Sequence, residues 1–306
     1  MALDNAGSWA LATISVAGEP IACLESGGRL YRLEPSLGRV GLSGMSSVAV
    51  LFADWGASAS ALERAVSLLD PADAVEGGVR LAPLLYPGKI LCAGANYFDH
   101  LAEMGMPGAK KADQRLFFFM KPPRNAVVGE GDTVHMPIGT QAFDWEIELA
   151  AVIGRRARNV SVGDAMTHVA GYTVAVDFSA RDHNRAPETF YKLDWVAGKA
   201  NDTCCPLGPR FVPASANADW QDVSLKLSVN GALKQNGRSS QMIFSIAEQI
   251  SIASRIMTLD PGDVLLTGTP AGVGVPKGTF LAVGDKVSAA IEGIGELNVR
   301  IQPPNG

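Results

Sequence analysis

From Pro83 to the end of the 306-residue chain, short apolar runs alternate with turn residues, and this pattern restricts the fold more than any other feature. The chain contains 33 glycines and 18 prolines, which supply turns and interrupt helices. The apolar runs therefore indicate strands rather than the long helices of a bundle. They occupy residues 89–93, 115–121, 143–154, 169–177, 223–229, 263–268 and 286–301, the last with a hairpin turn at 293–295. The pattern predicts a mixed, β-dominated α+β fold and leaves the strand order open.

The pattern of residues 1–80 differs from that of the rest, since short strands are followed by two helical stretches. It predicts a small N-terminal α+β domain ahead of a main domain at 81–306. Strands are predicted at 9–16, 19–24 and 29–32, and helices at 46–53 and 58–69. In the main domain an amphipathic helix is predicted at 243–256, because Ile246, Ile250 and Ala253 fall on one stripe.

Composition and charge exclude several classes of protein. Hydrophobic residues make up 47% of the chain and charged residues 19%, which provides a sizeable core and argues against wholesale disorder. The formal net charge of -5 and the lack of a basic stripe argue against a nucleic-acid partner. No apolar run approaches bilayer length, so we expect no membrane partner.

The cysteines and the start of the sequence indicate a cytoplasmic protein. The four cysteines form no C-x-x-C pair, so neither a disulfide framework nor a cysteine zinc site is expected. Residues 1–5 lack the basic region of a signal peptide. The cysteines are Cys23, Cys92, Cys204 and Cys205.

Three carboxylates alternate along the predicted strand at 143–154. Asp144, Glu146 and Glu148 point to one face of such a strand, while Trp145, Ile147 and Leu149 point to the other. Three like charges resist burial unless a positive charge compensates them, and Mg²⁺, Mn²⁺ or Ca²⁺ would suit oxygen ligands. The alternative is an edge strand with a solvated acidic face, and the local pattern leaves both interpretations open.

Asp177 is a second unusual carboxylate, because it ends an apolar strand at 169–176. Arg181 follows four residues later. This favours a charged site at the strand end, and the alternative is a turn with a surface ion pair.

These segments, taken in order, resemble the fumarylacetoacetate hydrolase family over roughly residues 85–300. One short match would carry little weight, but many in the same order are specific. The matching runs are K-P-P at 121–123, D-W-E-I-E at 144–148, V-I-G-R at 152–155, G-Y-T at 171–173, D-F-S-A-R-D at 177–182, G-K-A-N-D-T at 198–203, P-L-G-P at 206–209, L-D-P-G-D at 259–263 and T-G-T-P-A-G-V-G at 267–274.

The resemblance implies a mixed β-sandwich roll, a homodimer and a metal site that holds Mg²⁺ or Mn²⁺. By position, the implied metal ligands are Glu146, Glu148 and Asp177. Asp144 would lie behind them. The implied substrate-binding residues are Lys121, Arg181, Asn184, Lys199, Thr203 and Thr269. The family often has Gln where this chain has Asn184, which implies a looser or differently shaped clamp for the substrate carboxylate.

His100 and Glu103 form an i,i+3 pair on a predicted helix at 97–104. The resemblance makes them a water-activating dyad on a mobile lid that includes the segment 105–113, with Glu103 orienting the imidazole. The alternative is an ordinary surface pair. Of the other histidines, His135 is expected to be structural, His168 to be exposed on a short helical segment, and His183 to lie near the site.

The resemblance implies a small 2-oxo or 1,3-diketo acid as the partner. We expect a hydrolase that cleaves a carbon–carbon bond of an acylpyruvate through a metal-stabilised enolate, with Lys199 adding positive charge and the dyad activating water. The first alternative is a lyase on the same site, such as an oxaloacetate-type decarboxylase or a dienoate hydratase or isomerase. The second is a non-catalytic binding protein, which would have no need for the four residues Glu146, Glu148, Asp177 and His100 together.

Overall fold

The structure is a computed structural model that describes residues 9–216 and 219–305. The segment 1–5, on which the prediction about a signal peptide rests, lies outside the described residues. Within the described part, no helix is both long and apolar enough to cross a bilayer.

Nineteen strands are found in the described ranges. They are β1 (Ala10–Val16), β2 (Glu19–Ser26), β3 (Arg29–Arg32), β4 (Ala74–Val75), β5 (Val79–Leu81), β6 (Ile90–Gly94), β7 (Phe117–Lys121), β8 (Val127–Val128), β9 (Thr133–His135), β10 (Phe143–Asp144), β11 (Ile147–Ile153), β12 (Val169–Val176), β13 (Ser179–Ala180), β14 (Cys205–Pro213), β15 (Ser224–Val229), β16 (Ala232–Arg238), β17 (Val264–Leu266), β18 (Lys286–Ile291) and β19 (Gly295–Gln302).

The α-helices are short. They are α1 (Leu33–Gly38), α2 (Trp55–Val66), α3 (Phe98–Glu103), α4 (Val162–Ala165), α5 (Arg181–Asn184), α6 (Trp195–Lys199) and α7 (Ile246–Ile256). 3₁₀ helices lie at Val48–Asp54, Pro71–Asp73, Lys111–Asp113, Met166–His168, Ala214–Ala216, Ser239–Gln241 and Val275–Lys277, and all but the first have three residues.

Two of the predicted helices show how local sequence sets their bounds. α7 begins at a capping box, in which Ser245 and Glu248 satisfy each other's backbone N–H groups, and it buries Ile246, Ile250 and Ala253 as predicted. The helix expected at 58–69 starts earlier, because Asp54 accepts a hydrogen bond from Ala57 N at 3.1 Å and caps the helix before Trp55.

The strands form a large sheet and a smaller one that pack face to face. The large sheet has the order β4-β3-β2-β1-β14-β12-β11-β17-β6-β7, with β5 paired to β1 and β8 to β14. The smaller sheet has the order β16-β15-β18-β19-β9. The hairpin predicted at 293–295 joins β18 to β19. The β-dominated, mixed sandwich-type fold is therefore confirmed.

The central strand β11 is buried along its whole length, and its side chains alternate between two cores. Trp145, Ile147 and Leu149 belong to the core between the two sheets. Ala150 and Val152 belong to the core on the opposite face, which the N-terminal elements cover. The apolar set predicted for one face of this strand is thus packed together.

The N-terminal strands continue the large sheet, since Leu11 in β1 pairs with Phe211 in β14. Trp55 packs edge-on against Phe211, with ring centroids 5.3 Å apart. The N-terminal unit therefore shares both a sheet and a core with the rest of the chain. The division near residue 80 stays a prediction.

The predicted strand at 143–154 is interrupted after Asp144. This residue ends β10, whose partner is β13, and its own carboxylate accepts a hydrogen bond from Trp145 N at 2.8 Å. β11 then starts at Ile147 and pairs with β12. The Asp144 side chain accepts the Trp145 N–H, which a continuous strand would have donated to a neighbouring strand. The strand therefore breaks at the candidate site.

Candidate active site and metal centre

A cavity of about 240 Å³ opens at the end of the large sheet, on the face that the N-terminal elements cover. Part of its lining is charged, and we call this part the charged end; another part is apolar. Its lining comprises Ala93, Gly94, Ala95, His100, Leu101, Met104, Phe117, Phe119, Glu146, Glu148, Asp177, Arg181, Asn184, Trp195, Lys199 and Thr269.

Glu146, Glu148 and Asp177 meet at the charged end, with one carboxylate oxygen of each lying within 4.8 Å of the others. The antiparallel pairing of β11 and β12 brings them together, because Asp177 N donates to Glu146 O at 2.8 Å just beyond the ladder. All three side chains are buried. An all-oxygen set of this size suits a hard divalent cation such as Mg²⁺ or Mn²⁺.

Two cations face this carboxylate cluster. Arg181 donates from Nη2 to Glu146 Oε1 at 2.6 Å and from Nε to Asp144 Oδ2 at 2.9 Å. Lys199 Nζ donates to Asp177 Oδ2 at 2.6 Å and also to Glu146 Oε2. Positive charge is therefore held beside the carboxylates and at the wall of the cavity.

Asp144 lies behind Arg181 and is fully buried. Besides Arg181, it accepts hydrogen bonds from Gly274 N at 2.7 Å and Val275 N at 3.2 Å. Burial raises the pKa of Asp144, although the Arg181 guanidinium opposes this. The residue fixes the guanidinium and does not line the cavity.

Lys121 also lies behind the cluster rather than in the cavity wall. Its Nζ is fully buried and donates to Asp177 Oδ1 at 2.7 Å, to Phe178 O at 3.0 Å and to Lys199 O at 2.5 Å. Burial alone would lower the pKa of Lys121, but the charge of Asp177, together with smaller contributions from neighbouring groups, raises it above its usual range. The structure thus places this residue where it holds Asp177, and not where the sequence placed it, against a substrate.

The two glutamates of the cluster differ in their electrostatics. Burial and the charges of Asp177 and Glu146 raise the pKa of Glu148 well above its usual range. For Glu146, burial alone would raise the pKa, but Arg181 and Lys199 outweigh it and hold the pKa below its usual range. Negative charge at Glu148 is therefore the least balanced in the cluster, and a bound cation would balance it.

Of the predicted dyad, His100 lies on the cavity wall next to this cluster, and Glu103 contacts it from outside the lining. His100 is on α3, is 6% exposed, and its Nδ1 lies 2.7 Å from Glu103 Oε1. Glu103 Oε2 accepts a hydrogen bond from Gly272 N at 2.8 Å. Because Glu103 offers an acceptor, Nδ1 carries the proton and Nε2 keeps a free lone pair.

The remaining predicted residues are not all in the cavity. Asn184 and Thr269 line it, and Thr269 donates to Ile147 O at 2.8 Å. Thr203 does not, because its hydroxyl accepts a hydrogen bond from His135 N at 2.8 Å and donates to Asp202 O at 2.6 Å.

Of the histidines outside the dyad, His135 bonds to Pro303 O at 2.8 Å and has a structural position. The expected exposure of His168 is wrong, since it is buried, with Nδ1 3.1 Å from Arg155 O. His183 lies beyond Arg181 but is not part of the cavity lining.

Sequence reasoning missed Gln235 and the aromatic residues that line the cavity, Phe117, Phe119 and Trp195. Gln235 is fully buried, accepts from Ile147 N at 2.9 Å and donates to Thr269 Oγ1 at 2.8 Å, so it orients a cavity residue from the smaller sheet. Nothing in its local sequence indicates this contact. Phe117 and Phe119 could have been found from the sequence, because they occupy every second position before Lys121 and so share its face of the predicted strand.

Comparison with known proteins agrees with the fold. Residues 89–302 match the family model described as fumarylacetoacetate (FAA) hydrolase, C-terminal. The mitochondrial oxaloacetate tautomerase fahd2 of Xenopus laevis is 40% identical over 244 residues, which cover 78% of this chain and 74% of that protein.

Two solved structures are also similar. A fumarylacetoacetate hydrolase from Exiguobacterium antarcticum has a TM-score of 0.80 and 31% identity, and the match covers 97% of this chain and all of that one (100%). A fumarylpyruvate hydrolase from Pseudomonas aeruginosa, in complex with Mn²⁺ and pyruvate, has a TM-score of 0.64 and 34% identity over 72% of this chain and 91% of that one.

The fold and the buried acid–base cavity define an enzyme whose site includes a carboxylate cluster able to accept a metal ion. The family match covers more than two thirds of the sequence. The chain belongs to the fumarylacetoacetate hydrolase family.

Proposed function

We propose that the protein is a metal-dependent hydrolase that cleaves a carbon–carbon bond in a small acylpyruvate or related diketo acid. One observation carries the proposal: His100, which is buried and paired with Glu103, shares a cavity wall with the carboxylate cluster, Arg181 and Lys199. The P. aeruginosa hydrolase, whose structure holds Mn²⁺ and pyruvate, supports a 2-oxo acid as the ligand.

Glu146, Glu148 and Asp177 would hold Mg²⁺ or Mn²⁺, and Ca²⁺ also suits oxygen donors. When bound, the ion would act as a Lewis acid that polarises the substrate carbonyl. Asp144 and Lys121 would act indirectly, by holding Arg181 and Asp177 in place.

Arg181 and Lys199 would bind and orient the 2-oxo acid end of the substrate. Both cations lie at the wall of the cavity, and Asn184 and Thr269 add polar groups beside them. As the carbon–carbon bond breaks, negative charge develops on this end of the substrate. Fixed cations in a site that excludes water stabilise such charge more strongly than water would.

His100 would remove a proton from the attacking water through Nε2. Glu103 accepts the Nδ1 proton, which holds the ring in the required tautomer and stabilises the imidazolium that forms. Gly272 N in turn fixes the far oxygen of Glu103. After bond cleavage the same imidazolium would return the proton to the departing carbon.

A second candidate is enol–keto conversion or decarboxylation of an oxaloacetate-type acid. It is favoured by the name of the 40% identical relative, an oxaloacetate tautomerase. The reaction would use the same cations and the same His100, which would move a proton between carbon and oxygen without activating water. Isomerisation of a dienoic 2-oxo acid would likewise only move a proton, whereas its hydration on the same site would add water to a carbon–carbon double bond.

Product analysis of the wild type and His100→Ala with Mn²⁺ separates the candidates. The wild type should convert an acylpyruvate to pyruvate and the free acid, and His100→Ala should lose about 10²–10⁴-fold in rate. Oxalate affinity should stay nearly unchanged, because among the described residues the His100 side chain bonds to Glu103 and makes no hydrogen bond to the carboxylate cluster or its cations. His135→Ala, a histidine outside the cavity, is the matched control.

One outcome would contradict the mechanism, and another would contradict the reaction itself. If His100→Ala still cleaves the acylpyruvate, water is activated elsewhere. If the wild type converts the enol of oxaloacetate and leaves acylpyruvates intact, the second candidate is correct.

A homodimer and a cytoplasmic location are further proposals from the sequence. Sedimentation of the purified full-length protein would test the first, and fractionation of the native cell would test the second.

A further inference from the structure

Beside the charged end, part of the cavity is lined by apolar side chains. Leu101 and Met104 contribute from α3 and its end, and three aromatic rings, Phe117, Phe119 and Trp195, form the rest of this surface. We call these five residues the apolar wall. Among the described residues that line the cavity, the lysine and arginine side chains are Lys199 and Arg181, and both are paired with carboxylates at the charged end.

The three rings form one cluster that begins directly beside Lys199. Trp195 stacks on Phe119 with ring centroids 5.1 Å apart and an angle of 17°, and its centroid lies 5.3 Å from that of Phe117. Lys199 Nζ lies 4.9 Å from the centre of the Phe119 ring. Because Trp195 and Lys199 are four residues apart on α6, they share one face of that helix. A substrate whose carboxylate is near Lys199 would therefore extend its tail along the rings.

The backbone makes room for this cluster. Gly94 pairs with Phe117 across β6 and β7, and a Cβ atom at Gly94 would lie 2.1 Å from Phe117 Cζ. Any other residue at this position would displace the ring. Alternation along β7 then puts Phe119 on the same side of the strand as Phe117, while Met120 is on the other side.

We infer that the substrate carries an uncharged, apolar tail beyond its 2-oxo acid end, and not a second carboxylate. The inference rests on the proposed function, which places the 2-oxo acid at the charged end. A carboxylate against the apolar wall would lose hydration without gaining a cationic partner. An aliphatic or aromatic tail would instead gain from the apolar surface that it buries there. The inferred substrate therefore differs from oxaloacetate, for which the similar Xenopus protein is named.

Calorimetry on the full-length protein with saturating Mn²⁺ tests the inference. The probes are oxalate, 5-methyl-2-oxohexanoate and 2-oxoglutarate. The last two have the same head and similar shape, and they differ in an isopropyl group against a carboxylate. The branched acid should bind at least about tenfold more tightly, since each buried methyl group is worth roughly fourfold in affinity.

Phe117→Arg places a cation in the apolar wall and should reduce this preference about tenfold, because a guanidinium pairs with the carboxylate of 2-oxoglutarate. Met120→Arg is the matched control, since it adds the same charge on the same strand at similar exposure, 45% against 40% for Phe117. It should leave the preference unchanged. The wild-type comparison stands without either variant.

The outcomes separate the inference from the proposed function. If oxalate fails to bind, the site does not hold a 2-oxo acid head, and both are wrong. If oxalate binds but 2-oxoglutarate binds as tightly as the branched acid, the inference alone is overturned. If Phe117→Arg keeps the wild-type preference for the branched acid over 2-oxoglutarate, the apolar wall does not contact the tail and the inference is likewise overturned.

Discussion

Replacing Lys121 by methionine should destabilise the protein strongly, although the residue does not line the cavity. The side chains of Lys121 and Asp177 are both 0% exposed, and the Nζ–Oδ1 distance is 2.7 Å. Methionine has a similar length and volume, so the substitution removes the charge and three hydrogen bonds without leaving a large void. The loss is therefore mainly electrostatic.

The size of the effect follows from what remains beside Asp177. Removing one partner of a buried ion pair destabilises proteins by about 3–5 kcal/mol. Asp177 keeps the second cation, Lys199, at 2.6 Å, so the lower end of this range is expected. Unfolding entropy scales with chain length, and for 306 residues a loss of about 3 kcal/mol lowers the melting temperature by about 5 °C.

The assay is thermal and denaturant unfolding of the metal-free protein, with Lys111→Met as the control. Lys111 pairs with Glu248 at the same distance, 2.7 Å, but the two side chains are 45% and 28% exposed. A pair of this kind contributes at most about 1 kcal/mol. If Lys121→Met lowers the free energy of unfolding no more than Lys111→Met does, the charge balance inferred for the buried cluster is wrong.

Three further perturbations test other parts of the site. Lys199→Ala should weaken oxalate binding in the presence of Mn²⁺ by about 10–100-fold, the usual effect of a charged hydrogen bond, and calorimetry showing equal affinity would exclude it from substrate binding. Mn²⁺ affinity should rise with pH, because burial raises the pKa of Glu148 and the ion must displace the proton held there. Titration in two buffers of different ionisation enthalpy should detect a released proton, and a pH-independent affinity would contradict this. Gly94→Ala should push the Phe117 ring away, which should destabilise the protein by roughly 1–3 kcal/mol and reduce the preference for apolar tails. A melting temperature equal to that of the wild type would show instead that the ring has space to move.

The carboxylate cluster illustrates what local sequence can predict. Period-two alternation puts Glu146 and Glu148 on one face, and the apolar partners Trp145, Ile147 and Leu149 pack in the opposite core. Asp177 could be identified from the sequence alone, because it is a carboxylate at the end of the apolar strand at 169–176. The break at Asp144 was not predictable, because it depends on which backbone groups that side chain meets in the folded chain.

The sequence could not predict whether a side chain lies in the cavity wall or behind it, or which distant residues contact the site. Whether Lys121 faces a cavity or lies behind it depends on β6 and β7 being neighbours, and strand order is not encoded in any single segment. The hydroxyl of Thr203 is engaged by His135 N, 68 positions away in sequence. Gln235 reaches the site from the other sheet. Such contacts depend on topology rather than on residue pattern.

Gly272 joins two parts of the site through its main chain. Its N–H holds Glu103, and its carbonyl accepts a hydrogen bond from Nε1 of Trp145, the residue before Glu146, at 3.1 Å. A side chain here would meet Lys234 O at 2.1 Å, which excludes residues other than glycine. The spacing between the His100–Glu103 pair and the carboxylates is thus fixed through backbone atoms of Gly272. The apolar wall, by contrast, is made of side chains on the edge strand β7 and at the short helices α3 and α6. A lineage with this architecture can change the compounds it consumes by exchanging a few aromatic residues, while the reacting end keeps its dimensions.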